Sequence, residues 1–473
     1  MTTGILIVDD DKDYLDSLAQ FIELAGYPSI RAYSIREAHD LLEKDRFDLC
    51  LVDLHLTNNN DERDYSGFDV AIKAREMNIP IIIISGLPSV DSTREALVAH
   101  GKDTLAVDFV QKKDGPEAVL QAIHRLQGMT ILHLSDLHFR QVATGEPYDQ
   151  AHAYEKFLKD IQSQPGLATH PFAAIVVSGD ISYKHEPESF NQAERFLRAL
   201  ARELKVPLEH IILSPGNHDI ERQKASSMGD SLKAIQANDQ SWFAKFDTFL
   251  GFTRRFYGRP AFTSQRLYRP FDLDGRVSIV AFNSCIVEGD ADWRCKKCKK
   301  EHYPGWINRD QVNQAGKELT RKKWKGLRIG VFHHHVIPED SQSTEKACRG
   351  EHLINYLDPQ QHLEYVFSEQ NFQILLHGHR HKADLRRSSV QGSDVPLRFG
   401  AGTFWTSLSE KDESANYLLL QLSPVGGWSR VLMRQYTPST DERAGFWRAD
   451  DTIKQGGIIP LPFIIIPPSF EDP

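Results

Sequence analysis

The chain has 473 residues, and its 65 acidic residues outnumber 56 basic ones for a net charge of −9. That length predicts roughly two to four domains of about 100–200 residues, and the acidic balance argues against a protein that coats nucleic acid or an anionic membrane through its overall field. Five cysteines exclude a disulfide scaffold and fit a reducing compartment. The N-terminus MTTGILIVDDD has no basic n-region and no small-residue cleavage site, and the apolar runs fall short of the ~18–20 residues of a membrane span. A cytoplasmic location without a membrane partner is therefore expected. The unusual count is histidine, at 20.

Residues 1–127 alternate strand and helix. Gly4–Val8, Asp48–Val52, Pro80–Ile84 and the weaker Ala106–Val110 are short apolar runs of buried-strand type. Between Asp11 and Ala25, apolar residues recur at a helical period, and helical patterns also cover 35–44, 67–77, 91–100 and 116–126. Continuous apolar strands separated by amphipathic helices predict a parallel sheet covered on both faces, a single doubly wound domain. Gly128 and Met129 form the joint, and no Pro/Gly/Ser-rich tether follows, so the next domain is expected to sit close. From 130 to about 437 the α/β pattern continues with strands at Thr130–Ser135, Ala173–Val177, His210–Leu213, Val277–Phe282, Leu327–Phe332 and Phe372–Leu376. The segments Leu397–Phe404, Tyr417–Leu422 and Arg430–Arg434 read as β-rich, and 438–473 reads as an ordered tail or strap.

In a doubly wound sheet, ligands collect at the carboxyl ends of the strands. In 1–127 those ends carry Asp9 and Asp10, then Asp53, Ser85 and, just beyond the last strand, Lys112. Three converging carboxylates repel one another unless a cation sits among them, and hard oxygen donors suit Mg²⁺. Asp53 is then a nucleophile at a strand end, with Ser85 and Lys112 able to hold the oxygens of a phosphoryl group. From ILIVDDD through LVDLHL and IIIISG to DFVQKK, this part resembles a response-regulator receiver domain of flavodoxin-like fold. The resemblance implies that Asp53 is the phospho-acceptor of a sensor histidine kinase. It also implies that Asp9, Asp10, Asp53 and the His55 carbonyl bind Mg²⁺, and that Phe109 is the aromatic switch. Two departures stand out: the long loop TNNNDERDYSG after the acceptor, and Lys113 where the family has proline.

After residue 130 the histidines fall in clusters behind apolar strands. LSDLHF holds Asp136 and His138; VSGDIS holds Asp180; SPGNHDI holds Asn217, His218 and Asp219; GVFHHHVIP holds His333 to His335; LLHGHRHK holds His377, His379 and His381. A spacing of two residues in extended backbone puts Asp136 with His138, and His379 with His381, on one side. Carboxylate and imidazole donors in this ratio suit Mn²⁺, Fe or Zn²⁺, and two dications sharing Asp180 would form a phosphoester clamp that activates water. The set D-x-H, G-D, G-N-H-D, H-H, G-H-x-H resembles the calcineurin-like metallophosphoesterases across roughly residues 130–435, which implies a four-layer α/β/β/α domain. Carried over, Asp136, His138, Asp180 and His381 would bind one metal, and Asp180, Asn217, His333 and His379 the other. His218 would donate a proton and Asp219 orient it. His333 is preferred to His334 as the first histidine after its strand, and His377 is read as a supporting residue. SDLHF, GDISYK and GNHDI depart from the protein Ser/Thr phosphatase patterns and are similar to the class III cyclic-nucleotide phosphodiesterase and general diesterase group.

Cys295 and Cys298 form one C-x-x-C. A structural zinc needs four ligands, which His302, Cys285 or Cys348 would have to complete, so free thiols or a turn is the favoured reading. Cys50 is read as core. The domain plan is 1–127, 130–437 and the tail 438–473. The expected function is a receiver-controlled, dinuclear-metal phosphodiesterase that attacks with a metal-bridging hydroxide. The alternatives are a nuclease, with Lys296–Lys300 and Arg321–Lys325 touching phosphates, a phosphomonoesterase, and a hydrolase fold that only binds. Nucleic acid is the less favoured partner. A homodimer through a receiver helical face is the oligomer the resemblance allows.

Overall fold

The computed structural model describes residues 4–57, 64–77, 79–86, 108–139, 150–222, 224, 231–289, 305–335, 363–379, 381, 383–386, 389–390, 393–394, 396–404, 415–425, 428–437, 446–450, 457–461 and 463–468. The expected helix over 91–100, loop residues 58–63, the basic run 296–300, and Cys295, Cys298, His302 and Cys348 lie outside them.

Five strands, β1 (Ile5–Val8), β2 (Ser29–Ala32), β3 (Leu49–Asp53), β4 (Ile81–Ser85) and β5 (Asp108–Gln111), pair in parallel in the order β2-β1-β3-β4-β5. Period-2 alternation divides their side chains between two cores. Leu6, Val8, Cys50, Val52, Ile81 and Ile83 meet α2 (Ile35–Lys44) and α3 (Gly67–Glu76). Ile5, Ile7, Leu49, Leu51, Ile82 and Ile84 meet α1 (Lys12–Leu24) and α4 (Gly115–Arg125). Asp11 caps α1 by accepting from the Asp13 and Tyr14 N–H groups at 3.1 and 3.2 Å, and Ser34 caps α2. Such caps contribute about 1 kcal/mol each. The edge strand β2, SIRA, has no apolar run because only Ala32 is buried.

The second part contains two sheets. In the first, β6 (Met129–Leu134), β7 (Phe172–Ser178) and β8 (Ile211–Ser214) are parallel. In the second, β9 (Tyr268–Leu273) runs antiparallel to β10 (Val277–Phe282), and β11 (Leu327–Val331) and β12 (Ile374–His377) continue in parallel. The short β13 (Asp384–Arg386) closes that sheet against β16 (Leu397–Gly400), beyond a hairpin of β14 (Ser389–Val390) and β15 (Ser393–Asp394). β17 (Asn416–Leu422) returns to pair antiparallel with β6, and β18 (Arg430–Thr437) pairs with β17.

Alternation again assigns the faces. Val277, Ile279 and Ala281 enter the core shared with the first sheet, which α5 (Gln150–Gln162), α6 (Pro187–Glu203) and, after the short α7 (Ser231–Gln236), α8 (Asp247–Tyr257) supply with Phe157, Phe190, Leu197 and Phe249. Val280 and Phe282 point to a separate core with Val312 and Leu319 of α9 (Arg309–Arg321) and Phe367 of α10 (Leu363–Glu369). Helix, sheet, sheet and helix therefore stack in that order. Among the described residues no helix is long and apolar enough to cross a membrane.

The tail is part of the first sheet, so residue 437 does not end the domain. β19 (Phe446–Ala449) and β20 (Ile458–Pro460) both pair with β18, through Arg434↔Ala449 and Val431↔Ile459. They share the edge of β18 that β17 leaves open, and an open edge with buried neighbours needs a hydrogen-bonding partner.

Between α4 and β6 lie only residues 126–128. The Gly128 N–H donates to the Thr169 carbonyl at 2.9 Å, and Arg276 donates to the carbonyls of Gln127 at 2.6 Å and Pro467 at 2.7 Å. A Cβ at Gly128 would overlap the His170 ring and the Leu422 carbonyl. Asp48, buried at the start of β3, accepts from the N–H groups of Gly166 at 2.6 Å and Ala168 at 3.1 Å. Phe47, Pro80 and Leu126 face Val425, Trp428 and Arg430 around a small cavity there, and the Arg75 guanidinium lies 5.2 Å from the Trp428 ring centre. The second domain thus grips the amino ends of β3 and β4, opposite the ends that carry Asp53 and Ser85. Hydrogen bonds to a charged group contribute about 1.5–3 kcal/mol. Asp48→Ala is expected to destabilise the docked chain by roughly 2–4 kcal/mol, read as a lower unfolding midpoint by calorimetry, with Asp48→Asn intermediate. An unchanged midpoint would remove Asp48 from the joint.

Candidate metal centre

At the carboxyl edge of the first domain, Lys112 Nζ lies 2.8 Å from both Asp9 Oδ2 and Asp53 Oδ2. One ligand atom from each of Asp9, Asp10 and Asp53 can be chosen so that all lie within 4.8 Å of one another. Burial, then the Asp53 charge, pushes Asp9 up to about 6 against the pull of Lys112. Burial likewise raises Asp53. Burial opposes the charge on Lys112, but the two carboxylates push it up to about 12. Three carboxylates facing one ammonium leave an excess of negative charge, which fits an oxygen-coordinated dication. Ser85 is buried at the end of β4, and half-buried Phe109 packs on the core beside α3. His55, two residues past Asp53, is buried with its ring 6.4 Å from Tyr65. The long loop is clamped at its base, where Asp64 accepts from the N–H groups of Thr57 and Ser66, each at 2.9 Å.

In the second domain, loops after five strands converge. Asp136 and His138 follow β6, Asp180 follows β7, Asn217 and His218 follow β8, His333 follows β11, and His379 and His381 follow β12. Asp136, His138 and His381 form one compact group, and Asp180, His333 and His379 form another. Asp180 Oδ2 lies 3.3 Å from His333 Nε2 and 3.8 Å from His138 Nε2, between the two groups. Asn217 Oδ1 and His379 Nδ1 approach His333 Nε2 at 3.0 and 2.9 Å, and His138 Nε2 lies 3.0 Å from His381 Nε2. Donors about 2.1 Å from a shared cation sit roughly 3.0–3.4 Å apart at coordination angles of about 90–109°, and the spacings of 2.9–3.3 Å around His333 Nε2 and between His138 and His381 are compatible with donors that share a cation. Among the described residues, buried Asp136 Oδ1 has no hydrogen-bond partner, and the ring nitrogens His381 Nε2 and His138 Nε2 lie 3.4 and 3.9 Å from it. The donor set fits two divalent cations of the Mn, Fe or Zn type.

The extended spacing expected for these pairs is not how the side chains converge. Asp136, His138, Asp180, His379 and His381 have φ of 52°, 43°, 51°, 78° and 55°. A left-handed non-glycine residue costs about 1–2 kcal/mol, and such strain persists where surrounding bonds over-determine it. Here the N–H groups of Asp136 and His138 donate to the carbonyls of Gly179 at 3.1 Å and Asp180 at 2.9 Å. The His379 N–H donates to Asp136 Oδ2 at 3.0 Å, and the His218 N–H to Asp180 Oδ1 at 2.8 Å. Gly378 and Gly216 are required, because a Cβ would overlap Ser135 Oγ at the first and Asp180 at the second.

The electrostatics also call for positive charge. Burial disfavours the charge on Asp180, yet His333, His218 and His138 hold it well below the usual carboxylate range. Burial pulls His333 down, but Asp180 and Asp136 push it up to about 9. Burial, then His333, lowers His379 to about 3.

Several side chains have other partners than expected. Asp219 does not touch the His218 ring; its buried carboxylate accepts from the N–H groups of Gly216, Ile181 and Ser182 at 2.9, 3.1 and 2.8 Å. His218 Nδ1 instead donates to the Tyr183 carbonyl at 2.7 Å. A backbone acceptor has no residue signature, so sequence reasoning could not find it. His334 pairs its Nδ1 with Ser284 Oγ at 2.9 Å while its ring lies 4.7 Å from that of His379, and the His377 ring meets His335 at 4.3 Å with the planes tilted by 57°. Cys285, considered as a zinc ligand, is buried with Sγ donating to the Pro215 carbonyl. The run Arg321–Lys325 precedes β11 and so sits at the opposite end of that strand from His333; it cannot serve phosphates at the metal centre.

A model of the calcineurin-like phosphoesterases matches residues 129–383, and a response regulator receiver domain model matches residues 5–124. Among characterised proteins, the chain is similar to the alginate biosynthesis transcriptional regulatory protein AlgB of Pseudomonas aeruginosa, 31% identical over 115 residues, which is 24% of this chain and 23% of AlgB. It is also similar to the swarming motility regulation protein RssB of Serratia marcescens, 32% identical over 106 residues, 22% of this chain and 47% of RssB. The chain thus spans less than half the length of these relatives. Among solved structures, a CheY-like receiver domain protein from Methanospirillum hungatei is 27% identical, with 26% of this chain and 91% of that chain covered and a TM-score of 0.21.

The Asp9 shift has a sign that can be checked. Its folded value near 6 lies above the ordinary 3.8. The penalty is absent while Asp9 is protonated in both folded and unfolded chains, and stability is lost as pH rises from about 4 to about 6, by on the order of 2–3 kcal/mol. Urea unfolding in EDTA should show this slope, and Asp9→Asn or saturating Mg²⁺ should flatten it. A wild type that is flat in EDTA would contradict it.

Proposed function

Because the chain belongs to the calcineurin-like phosphoesterase family and carries a response regulator receiver domain ahead of that fold, we propose that it is a phosphorylation-controlled phosphodiesterase. The observation that carries this reading is the pair of ligand groups joined at Asp180, with a ring nitrogen of His218 within 4.8 Å of ligand atoms of His138 and Asp180. Asp136, His138, Asp180 and His381 would hold one dication, and Asp180, Asn217, His333 and His379 the other. Bound there, the metals supply Lewis acidity, lowering the pKa of a water and taking up charge on phosphoryl oxygens.

The chain's own residues do the rest. The Tyr183 carbonyl holds the proton on His218 Nδ1, which leaves Nε2 as the nitrogen that delivers a proton to the leaving oxygen from the imidazolium form. Asp219 ties the loop after β7 to the loop after β8, so His218 keeps its distance from Asp180. The diester preference rests on SDLHF, GDISYK and GNHDI, which depart from the protein phosphatase patterns. Of the two basic runs that would favour a nuclease, Arg321–Lys325 lies at the opposite end of β11 from His333, and Lys296–Lys300 lies outside the described residues.

The receiver implies a phospho-donor, and we assign this to a sensor histidine kinase acting on Asp53. The docking contacts support a route for regulation. β3 runs from the Asp48 clamp to Asp53, and the clamped loop Gly166–His170 leads into β7, which ends next to Asp180. Phosphorylation at one strand end would shift the clamp at the other.

With Mn²⁺, bis(p-nitrophenyl) phosphate should be cleaved in preference to p-nitrophenyl phosphate. Asp180→Ala and His218→Ala should each lower turnover by about 10²-fold or more. Cleavage of the monoester alone would replace the diesterase reading with a phosphatase. Beryllofluoride with Mg²⁺ should change the rate of the wild type and leave Asp53→Asn unaffected. A wild type as indifferent as Asp53→Asn would end the regulatory reading.

A further inference from the structure

Beside the metal centre stands one aromatic ring that the hydrolytic chemistry does not use. Tyr183, 39% exposed, is among the few large apolar side chains left open to solvent in the described residues. Its ring stacks near-parallel to His218, with centroids 5.7 Å apart and planes at 29°, and meets the edge of His138 at 6.0 Å. The backbone beneath it is pinned. The Tyr183 N–H donates to the Phe139 carbonyl at 2.9 Å, Ser182 N–H to Asp219 Oδ1 at 2.8 Å, and His185 N–H to Ser182 Oγ at 2.9 Å. His185 completes the turn in the left-handed region at φ 47°. One side of the ring thus packs on the site's imidazoles, and the rest is open to solvent at the site rim.

The geometry points to a role in choosing the leaving group: we propose that Tyr183 is the specificity-determining residue of the site, a stacking platform that selects esters carrying a nucleobase over alkyl esters. This rests on the reading of His218 as proton donor. A leaving oxygen must come within about 3 Å of His218 to take a proton, so the group attached to it falls beside the Tyr183 ring. A planar base can stack there, whereas a glycerol or choline group offers no face. Lys184 is exposed and its Nζ lies over the ring, 5.6 Å from its centre; a stacking base would displace this flexible side chain, whose cation stays at the same rim for an anionic nucleotide.

The test compares two matched pairs on Mn²⁺-loaded wild type, Tyr183→Ala and Tyr183→Phe: 3′,5′-cyclic AMP against glycerophosphocholine as diesters, and AMP against glycerol 3-phosphate as monoesters. Base stacking on an aromatic side chain supports a change of about tenfold. The base-to-alkyl ratio of kcat/KM should fall by about that factor in Tyr183→Ala, through KM, and be kept in Tyr183→Phe. Calorimetric binding of AMP and glycerol 3-phosphate should give the same loss of preference. A ratio unmoved by Tyr183→Ala, or lost equally in Tyr183→Phe, would overturn the proposal. A wild type that turns over only the monoester pair would retire the diesterase reading while the monoester ratio still judges Tyr183. If neither pair is turned over, the hydrolase reading falls and the binding ratio decides the platform.

Discussion

Two carboxylates, Asp136 and Asp180, lie buried within a few ångströms of the same imidazoles. Burying ionised carboxylates is costly unless positive charge and hydrogen bonds surround them. Much of the second domain can be understood as meeting that demand. Five histidines and an asparagine amide converge from loops on two different sheets, and backbone N–H groups from His379 and His218 take up the remaining carboxylate oxygens. The sheets must stack face to face for the loops to meet, and the shared core between β10 and the first sheet keeps them there. The left-handed backbone at five of the ligands is the local cost of bringing so many donors to one place.

The receiver solves a smaller version of the same problem. Asp9 and Asp53 share one ammonium, from Lys112, and burial raises both carboxyls, the Asp53 charge adding to the shift at Asp9. Both centres occupy carboxyl ends of parallel strands, where loops are free to vary while the strands stay packed. The domains meet elsewhere, at the amino ends of β3 and β4 and at the loop that leads into β7. Among the described residues the docking contacts touch neither centre, yet each is one strand away from them. Asp48 makes that joint specific, because a buried carboxylate without its two N–H donors would be strongly destabilising.

Most of the candidate residues were legible because metal and phosphoryl chemistry demands particular side chains, and Asp, His and Asn clusters behind apolar strands are visible in one dimension. His333, the first histidine after its strand, is the one whose ring nitrogen faces Asp180 and Asn217. Other features were hidden. The carbonyl of Tyr183 holds the His218 ring, and any residue could have supplied it. Asp219 was expected against that ring, but its three backbone donors come from loops separated by about 35–40 residues. The tail read as a strap because β19 and β20 are short, and only the open edge of β18 makes strands of them.

By itself, the sequence determined the two α/β units, their central apolar strands and the donor types at the strand ends, since hydrophobic period and ligand chemistry are local properties. Only the tertiary structure decided which partners hold His218 and Asp219, that left-handed turns rather than extended pairs aim the side chains, and that Asp48 joins the domains. It also set Tyr183 at the rim. Each of these depends on distances between segments far apart in the chain, and those distances are fixed by how sheets and helices pack.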